Sequence, residues 1–484
     1  MTVIPSGGET SGPIAVIRPS STTTAPPSKA GAETGTTWAP VIAKELLMAP
    51  TVRGGQGASG RAAAAASGRN TDSWRRASGW FYRRGMAHRS DTWPTHERSE
   101  RPWRSTVRGC RDDRLVTTVQ VSLPPSIATA RWTPDDDTVA LLDRSATALR
   151  ALDVHHGSRL APLGSVLART DALASSRIED ESASIDDLAR ALVGIRANAG
   201  ATAVVRAGGA VEHLVSGADS GTVTEVSLLE AHRLLMRDDP VDGRYAGRYR
   251  DVQNWIGGGA TPRDAVHVPP PPELVAPLMA DLFAFVHRVD LHPIAQAAIA
   301  HAQFESIHPF TDGNGRIGRA LIGAVLRRRG VTTTVTAPVS AALAADRRRY
   351  FRHLEQYRDG RVTGFVVDLA LAIGTVCDEA TLSALLLKEH DADLSAGPCA
   401  SGPHAVVGRA LADDPVLTEA HLDTLLTADE VERVTHDLVL AGVLRPVTGR
   451  RRDRAWVAPV VVAELEAFEQ RVHAAVGGRE RTAA

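Results

Sequence analysis

The chain has 484 residues, 23% of them charged and only 4% aromatic, and its 55 Lys and Arg against 56 Asp and Glu leave a net charge of −1. That length supports two or three domains with sizeable cores, and the near-neutral balance argues against a surface built to coat nucleic acid or membrane as a whole. Cys110, Cys377 and Cys399 have no metal-type spacing and point to a reducing cytoplasm, while no stretch reaches the ~18 to 20 consecutive apolar residues that span a bilayer.

Residues 1 to about 115 are rich in Ser, Thr, Gly, Ala and Arg, with a polyalanine run at Ala62 to Ala66 and no sustained helical or strand period. Such a segment buries too little apolar surface to offset its ordering entropy, so 1–115 reads as a disordered low-complexity extension. It lacks the charged-then-apolar plan of a secretory signal, and export by that route is not expected. Trp38, Trp74, Trp80, Trp93 and Trp103 lie here beside many arginines, which would suit a nucleic-acid arm. The composition suits better a poorly conditioned extension, such as a start codon placed too far upstream would give, with Met86 a later candidate start.

Residues 116–200 read as an N-terminal helical region. Leu123-Pro124-Pro125 ends an extended lead-in, and Val139, Leu142, Ala146, Leu149 and Leu152 recur at helical spacing over Asp135 to Asp153. A second helix, Leu160 to Ala174, continues into Ser175-Ser176-Arg177-Ile178-Glu179-Asp180, where Ser175 and Glu179 share a helical face. Residues 201–390 read as the catalytic unit. Helices surround a glycine-rich loop at Gly200 to Gly209, and Leu228 to Met236 is a helix stopped by Asp239-Pro240. Gly243 to Gly258, then Ala265 to Val268 and a four-proline run, read as a β-hairpin followed by a helix over Glu273 to Val289.

Ile294, Ala298, Ile299, Ala302, Phe304 and Ile307 fit one face of a helix, and the pattern resumes at Ile317, Leu321 and Val325, so His308 to Gly313 form a tight loop between buried helices. Gly313 and Gly315 let consecutive N–H groups converge at the start of the second helix, around Asn314, where the macrodipole favours an anion. A phosphate is the natural guest. Asp312 is placed to hold Mg²⁺ against phosphate oxygens, His308 has the reference pKa of a general base, and the forks of Arg316 and Arg319 suit terminal phosphates. Together they make a site for phosphoryl or nucleotidyl transfer.

Beyond the loop, helices are expected over Ile317 to Arg329, Ser340 to Arg358 and Thr363 to Glu389, then a linker, 391–403, with Gly397-Pro398 and Gly402-Pro403. Residues 404–484 read as a separate winged helix: three helical runs to Leu440, then Val443-Leu444-Arg445, a turn at Gly449 and Trp456-Val457-Ala458. The wing tip Arg450-Arg451-Arg452-Asp453-Arg454 is basic, but the recognition-helix position around Asp429 to Asp437 is acidic, which favours a protein-contact or regulatory role over DNA binding.

His308-Pro309-Phe310-Thr311-Asp312-Gly313-Asn314-Gly315-Arg316-Ile317-Gly318-Arg319 resembles the signature of the Fic family, His-x-Phe-x-Asp/Glu-Gly-Asn-Gly-Arg-x-x-Arg, with every required position filled. Ser175 and Glu179 resemble the family's inhibitory motif, Ser/Thr-x-x-x-Glu-Gly/Asn, with Asp180 departing from it. The resemblance covers about Val116 to Ala475. It implies a mainly α fold with a Fic-type helical core, a small hairpin flap that registers the target segment, and a C-terminal winged helix. It further implies an enzyme that moves AMP from ATP to a Tyr, Thr or Ser hydroxyl of a target protein. In that reading His308 is the base, Asp312 carries Mg²⁺, Gly313, Asn314 and Gly315 cradle the phosphates, and Arg316 and Arg319 face them. Glu179 would pair with Arg319 in place of the γ-phosphate. A cytoplasmic location, a second copy of the chain as partner and no membrane contact go with this reading. The competing expectation is a DNA-binding regulator whose Fic unit senses nucleotide.

Overall fold

The structure, a computed structural model, describes residues 93–104, 111–156, 171–180, 184–192, 199–259, 261–447 and 454–483. A two-stranded antiparallel ribbon, β1 (Glu97–Pro102) and β2 (Thr118–Leu123), leads into α1 (Asp136–His156), α2 (residues 171–178), α3 (Ile185–Leu192), α4 (Ala199–Gly217) and α5 (Glu225–Met236). Then come α6 (Val275–Val286), α7 (Pro293–Ile307), α8 (Asn314–Arg328), α9 (Val339–Ala345), α10 (Arg347–Arg358) and α11 (Thr363–Ala396). The C-terminal part is α12 (Gly402–Asp413), β3 (Val416–Thr418), α13 (Glu419–Leu422), α14 (Ala428–Leu440), β4 (Arg445–Pro446), β5 (Ala455–Val457) and α15 (Pro459–Ala483), its strands antiparallel in the order β3-β5-β4. The fold is mainly α.

Helix α7 sits at the centre. Its apolar period marks one face, but every residue from Ile294 to Ile307 is buried. The polar face is inside as well, and both of its glutamines are hydrogen-bonded through oxygen and nitrogen alike. Gln296 donates to the carbonyls of Phe285, Val286 and Arg288 at 2.9, 3.0 and 3.0 Å, and Gln303 donates to Pro125 O at 2.9 Å while accepting from Tyr357 at 2.8 Å. Helix α8 packs beside it, and α11 packs against α1 and α15. By length and composition α11 could cross a membrane, yet 72% of its apolar window is buried within the fold.

Several sequence expectations need correction. The extension was placed through residue 115, but β1 pairs with β2 from Glu97↔Leu123 to Pro102↔Thr118, and His96 N–H donates to Arg358 O at 2.9 Å. Trp93 is buried among Phe285 and Tyr357, and Trp103 meets Trp255 edge-on over a second small core with Val119 and Val121. Single aromatic anchors have no period to detect. Residues 1–92 lie outside the described residues. The glycine-rich loop at Gly200 to Gly209 is instead helix α4. A Cβ at Gly208 would meet only Ala172, at 4.0 Å, and the alanines and valines between the glycines carry the packing.

The hairpin reduces to one antiparallel bridge, Ile256↔His267, with Gly257 and Gly258 at φ +73° and +75° turning the chain. Asp346 splits the expected helix Ser340 to Arg358, since its carboxylate accepts from Arg349 N–H at 3.0 Å and starts α10. Helix α11 runs to Ala396, so the 391–403 linker shrinks to residues 397–401. The C-terminal part is not separate. Most of its apolar residues join the main core, while Val416, Val447, Ala455 and Val457 form a small core of their own, and α15, which was not foreseen, lies on α9 and α11. Arg177 pairs with Glu469 and Arg445 with Asp186, so the segment around α2 and α3 is fastened to this part of the chain. Of the wing tip, Arg450 to Asp453 lie outside the described residues, and Arg454 pairs with Glu419 at 2.8 Å and Glu432 at 2.6 Å.

Trp93→Ala should lower stability by about 3 to 5 kcal/mol, the cost of deleting a large buried aromatic. Urea unfolding of the full chain checks this, and an unchanged midpoint would show that residues 93–104 do not belong to the core.

Candidate functional site

The site begins where α7 ends. His308 caps the helix in the left-handed region, φ 50° and ψ 62°, with its N–H donating to Phe304 O at 2.8 Å. A non-glycine residue there costs on the order of 1–3 kcal/mol and needs a frame to hold it. Arg250 supplies that frame. Fully buried, it donates from Nε to His308 O at 2.9 Å, from Nη1 to Val252 O at 3.0 Å and from Nη2 to Pro270 O at 2.5 Å, while its backbone N–H reaches Pro309 O at 2.9 Å.

Further round the loop, the Phe310 ring stacks on His232, centroids 3.7 Å apart. His232 Nδ1 accepts from Gly247 N–H at 3.0 Å, so its Nε2 carries the proton and donates to Asp312 O at 3.1 Å. Burial holds this ring neutral, with its pKa lowered to about 4. Gly313 lies at φ +77°, where a Cβ would also press into Leu235. Asn314 Oδ1 accepts from Phe310 N–H and its Nδ2 donates to Phe310 O, both at 2.9 Å, so the loop is wrapped around this side chain.

His308 is buried, with Nδ1 at 3.0 Å from Asn254 Nδ2 and 3.2 Å from Asn314 Nδ2. Its pKa falls to about 3, chiefly through burial and further through the charges of Arg250 and Arg358. The ring is therefore neutral at physiological pH, as a base must be before it acts.

Arg319, in the second turn of α8, is enclosed. Its Nε donates to Ser175 Oγ at 2.8 Å, and Nη2 donates to Ser175 O at 2.9 Å and to Glu179 Oε1 at 2.8 Å. The Glu179 carboxylate lies against Gly315, where a Cβ would collide with Oε1. An anion from the turn that ends α2 thus occupies the start of α8, the place where unpaired N–H groups favour one. Burial alone would lower the Arg319 pKa, but the charges of Glu179, Tyr350 and Glu305 outweigh it and raise the value. Asp180, the departure from the inhibitory motif, adopts φ 62°, a conformation that glycine or asparagine takes readily and aspartate tolerates. Its carboxylate turns to Arg347, at 2.6 Å, so Asp180 does not compete for Arg319.

Asp312 Oδ1 accepts from Gly313 N–H at 2.6 Å, its Oδ2 stands 3.6 Å from Nη2 of the buried Arg316, and the side chain is 45% exposed. Asp242 is close enough that, after burial, the Asp312 charge is the next largest cause raising its pKa. Among the described residues no group of three His, Cys, Asp or Glu could hold a metal by itself. One open carboxylate with a second nearby fits Mg²⁺, which usually takes one or two carboxylates and leaves its other positions to phosphate and water.

All nine residues singled out from the sequence, Ser175, Glu179, His308, Asp312, Gly313, Asn314, Gly315, Arg316 and Arg319, belong to this one region. The sequence reading missed Arg250, His232, Asn254 and Glu305. Glu305 is buried beside Arg319 with its pKa pushed up to about 7 by burial, partly offset by Arg319. A polar residue inside an apolar period was the available signal for it, but no spacing rule marks Arg250 or Asn254.

Stability should fall on acidification. His96, His232, His301 and His308 have pKa values near 3, 4, 3 and 3, lowered mainly by burial from 6.5, so the unfolded chain takes up their protons first. Their contribution is present above pH 6.5 and is lost as the pH falls. Asp171 and Glu305, raised by burial to about 6 and 7, act in the opposite sense and cost stability as pH rises through those values. Four groups against two give a melting temperature that drops from pH 6.5 to 4.5. Calorimetry across that range checks it, and a flat or rising temperature would contradict the neutral buried rings.

Residues 222–326 match the Fic/DOC family. The chain is 33% identical over 173 residues to a protein adenylyltransferase Fic of Drosophila virilis, covering 35% of this chain and 31% of that protein. It is also 33% identical over 171 residues to one of Nematostella vectensis, covering 34% and 35%. The chain spans about a third of the length of these curated relatives. A Fic family protein of Desulfovibrio desulfuricans G20 aligns at TM-score 0.46 and 23% identity, over 69% of this chain and 98% of that one, and Fic-1 of C. elegans at 0.39 and 23%, over 50% and 71%. The segment from 222 to 326, which holds the loop from His308 to Arg319, is a Fic/DOC family match.

Proposed function

We propose that the chain is a protein adenylyltransferase, restrained by Glu179, that moves AMP from ATP to a Tyr, Thr or Ser hydroxyl of a target protein in the cytoplasm. The observation that carries the reading is the Glu179 carboxylate held 2.8 Å from buried Arg319 and against Gly315. A built anion seat lies next to a neutral, enclosed imidazole. The activity named for the curated relatives, matched over about a third of their length, supports the same reaction.

When Glu179 withdraws, the terminal phosphate of ATP takes its place on Arg319, and Gly313, Asn314, Gly315 and Arg316 line the rest of the phosphate chain. Asp312 would hold Mg²⁺, which neutralises charge on the phosphate oxygens. The target hydroxyl gives its proton to His308 as its oxygen bonds to the α-phosphorus. The bond from that phosphorus to the β-phosphate oxygen breaks, and pyrophosphate leaves. In the reverse sense, Glu179 would activate water to remove AMP. The segment around the Ile256↔His267 bridge would act as the flap that registers the target. The C-terminal part is read as a winged helix with a regulatory role. A DNA-binding regulator is the weaker reading, because Arg454 is already paired with Glu419 and Glu432 and α14 carries Asp429, Glu430, Glu432 and Asp437.

ATP labelled at the α-phosphate tests this. Glu179→Gly should transfer label, including to itself, well above wild type, and His308→Ala in that background should fall by ~10²- to 10⁴-fold with ATP binding retained. Label that binds but never becomes covalent would favour a nucleotide sensor. Equal rates with and without Glu179 would remove the inhibitory role alone.

A further inference from the structure

We propose that α15 is a latch on the inhibitory segment: Glu469 holds Arg177, and through it keeps the end of α2, with Glu179, set over Arg319. The inference rests on the restraint by Glu179 put forward above and adds what governs it. Glu179 can leave Arg319 by a swing of its side chain or by a retreat of the backbone that carries it. Ser175 binds the same guanidinium through Oγ at 2.8 Å and through its carbonyl at 2.9 Å, so the backbone of α2 is itself part of the closed arrangement. Whatever holds that backbone therefore holds the restraint.

Arg177 is placed to be held. It lies in the last turn of α2, between Ser175 and Glu179, and two residues along a helix turn a side chain by about 200°, so it points away from the side on which Ser175 meets Arg319. There it forms an ion pair with Glu469 of α15. Arg177 is half-exposed, but Glu469 is only 15% exposed, and its Oε1 is buried with no hydrogen-bond partner among the described residues. Arg177 thus compensates a largely buried carboxylate, and losing it would leave that charge unpaired. Glu469 also stands on a firm support. Two residues on, Arg471 donates to Glu379 at 2.8 Å and to Ser383 Oγ at 2.9 Å, both on α11, and to Glu464 of α15 at 2.7 Å. Helix α15 further lies on α9, whose Ser340 N–H donates to Asp171, at the start of α2, at 2.8 Å. The next helix, α3, is tied to the same part of the chain, with Asp186 accepting from Nη1 and Nη2 of Arg445 at 2.8 and 2.5 Å and Arg190 Nε donating to Val447 O at 3.1 Å. Glu469 is the direct hold of the C-terminal part on the residue between Ser175 and Glu179.

The test is a charge exchange on the full chain. Self-modification from α-labelled ATP should rise ~3- to 10-fold over wild type in Arg177→Glu and in Glu469→Arg, and the double variant, which restores an ion pair with its charges exchanged, should return near the wild-type rate. In the Glu179→Gly background all four combinations should transfer alike, because no restraint is left to release. Hydrogen exchange over residues 171–180 should be faster in each single reversal and return to the wild-type rate in the double. Wild-type transfer in both single reversals would overturn the latch, as would a double variant as active as the singles, or the same rise where Glu179 is already replaced. Should a reversal fail to fold, Arg177→Gln and Glu469→Gln take its place: a double variant no more active than either single supports one pair acting as a unit, and additive rises contradict it. If Glu179→Gly itself gains nothing, the inhibitory reading fails and the exchange data decide alone. Protection of 171–180 unchanged by either reversal then overturns the latch, and a loss of protection restored by the double variant upholds the grip of α15 on α2.

Discussion

A guanidinium enclosed in a helical core is the constraint on which this structure turns. Arg319 cannot shed its proton, so an anion must face it in every state of the folded chain. Ser175 satisfies two of its N–H directions, and Glu179, in the turn that ends α2, supplies the charge. Glu305, buried on the other side, contributes to the same balance, although burial keeps its own ionisation costly. The partners of Arg319 differ in exposure. Ser175 and Glu305 stay inside the protein, whereas Glu179 lies on the open side, 37% exposed, where another anion can reach.

The second requirement is stiffness. A histidine in the left-handed region and a neighbouring glycine at positive φ would not hold a loop in one shape unaided. Arg250 ties together the carbonyls of His308, Val252 and Pro270, His232 stacks on Phe310 and holds Asp312 O, and Asn314 folds back on Phe310. These groups belong to α5, to the segment after it, and to the loop itself. The loop is consequently held in one shape by contacts within the chain, and the carboxylate set against it comes from the turn that ends α2. That element is fastened elsewhere, by Arg177 to Glu469 of α15 and by Arg347 to Ile178 O, and the following helix, α3, by Asp186 to Arg445 of β4. The C-terminal part is therefore in direct contact with the element that carries Ser175.

Much of the site was readable because it is local. Twelve consecutive residues, His308 to Arg319, carry the imidazole, the carboxylate, the glycine turn and both guanidinium groups, and α7 announces itself by its apolar period. Ser175 and Glu179 were readable from spacing, although nothing in a period says which arginine they face. What escaped was long-range. Arg250 reads as one more surface arginine, yet it is a buried strut 58 residues from the carbonyl it holds. Trp93 and β1 belong to the core through single aromatic contacts and a ribbon, neither of which leaves a pattern in a segment dominated by Ser, Gly and Arg. The glycines of α4 misled for the opposite reason: composition suggested a loop where tertiary packing sustains a helix.

The central claim is that Glu179 and the terminal phosphate of ATP compete for one place on Arg319. Crystal structures of wild type and Glu179→Gly with ATP and Mg²⁺ test it directly. The account predicts the γ-phosphate against Arg319 and Gly315 in the variant, and displaced from Arg319 in wild type with the Glu179–Arg319 pair intact. A γ-phosphate seated on Arg319 in both, with Glu179 still paired, would contradict it.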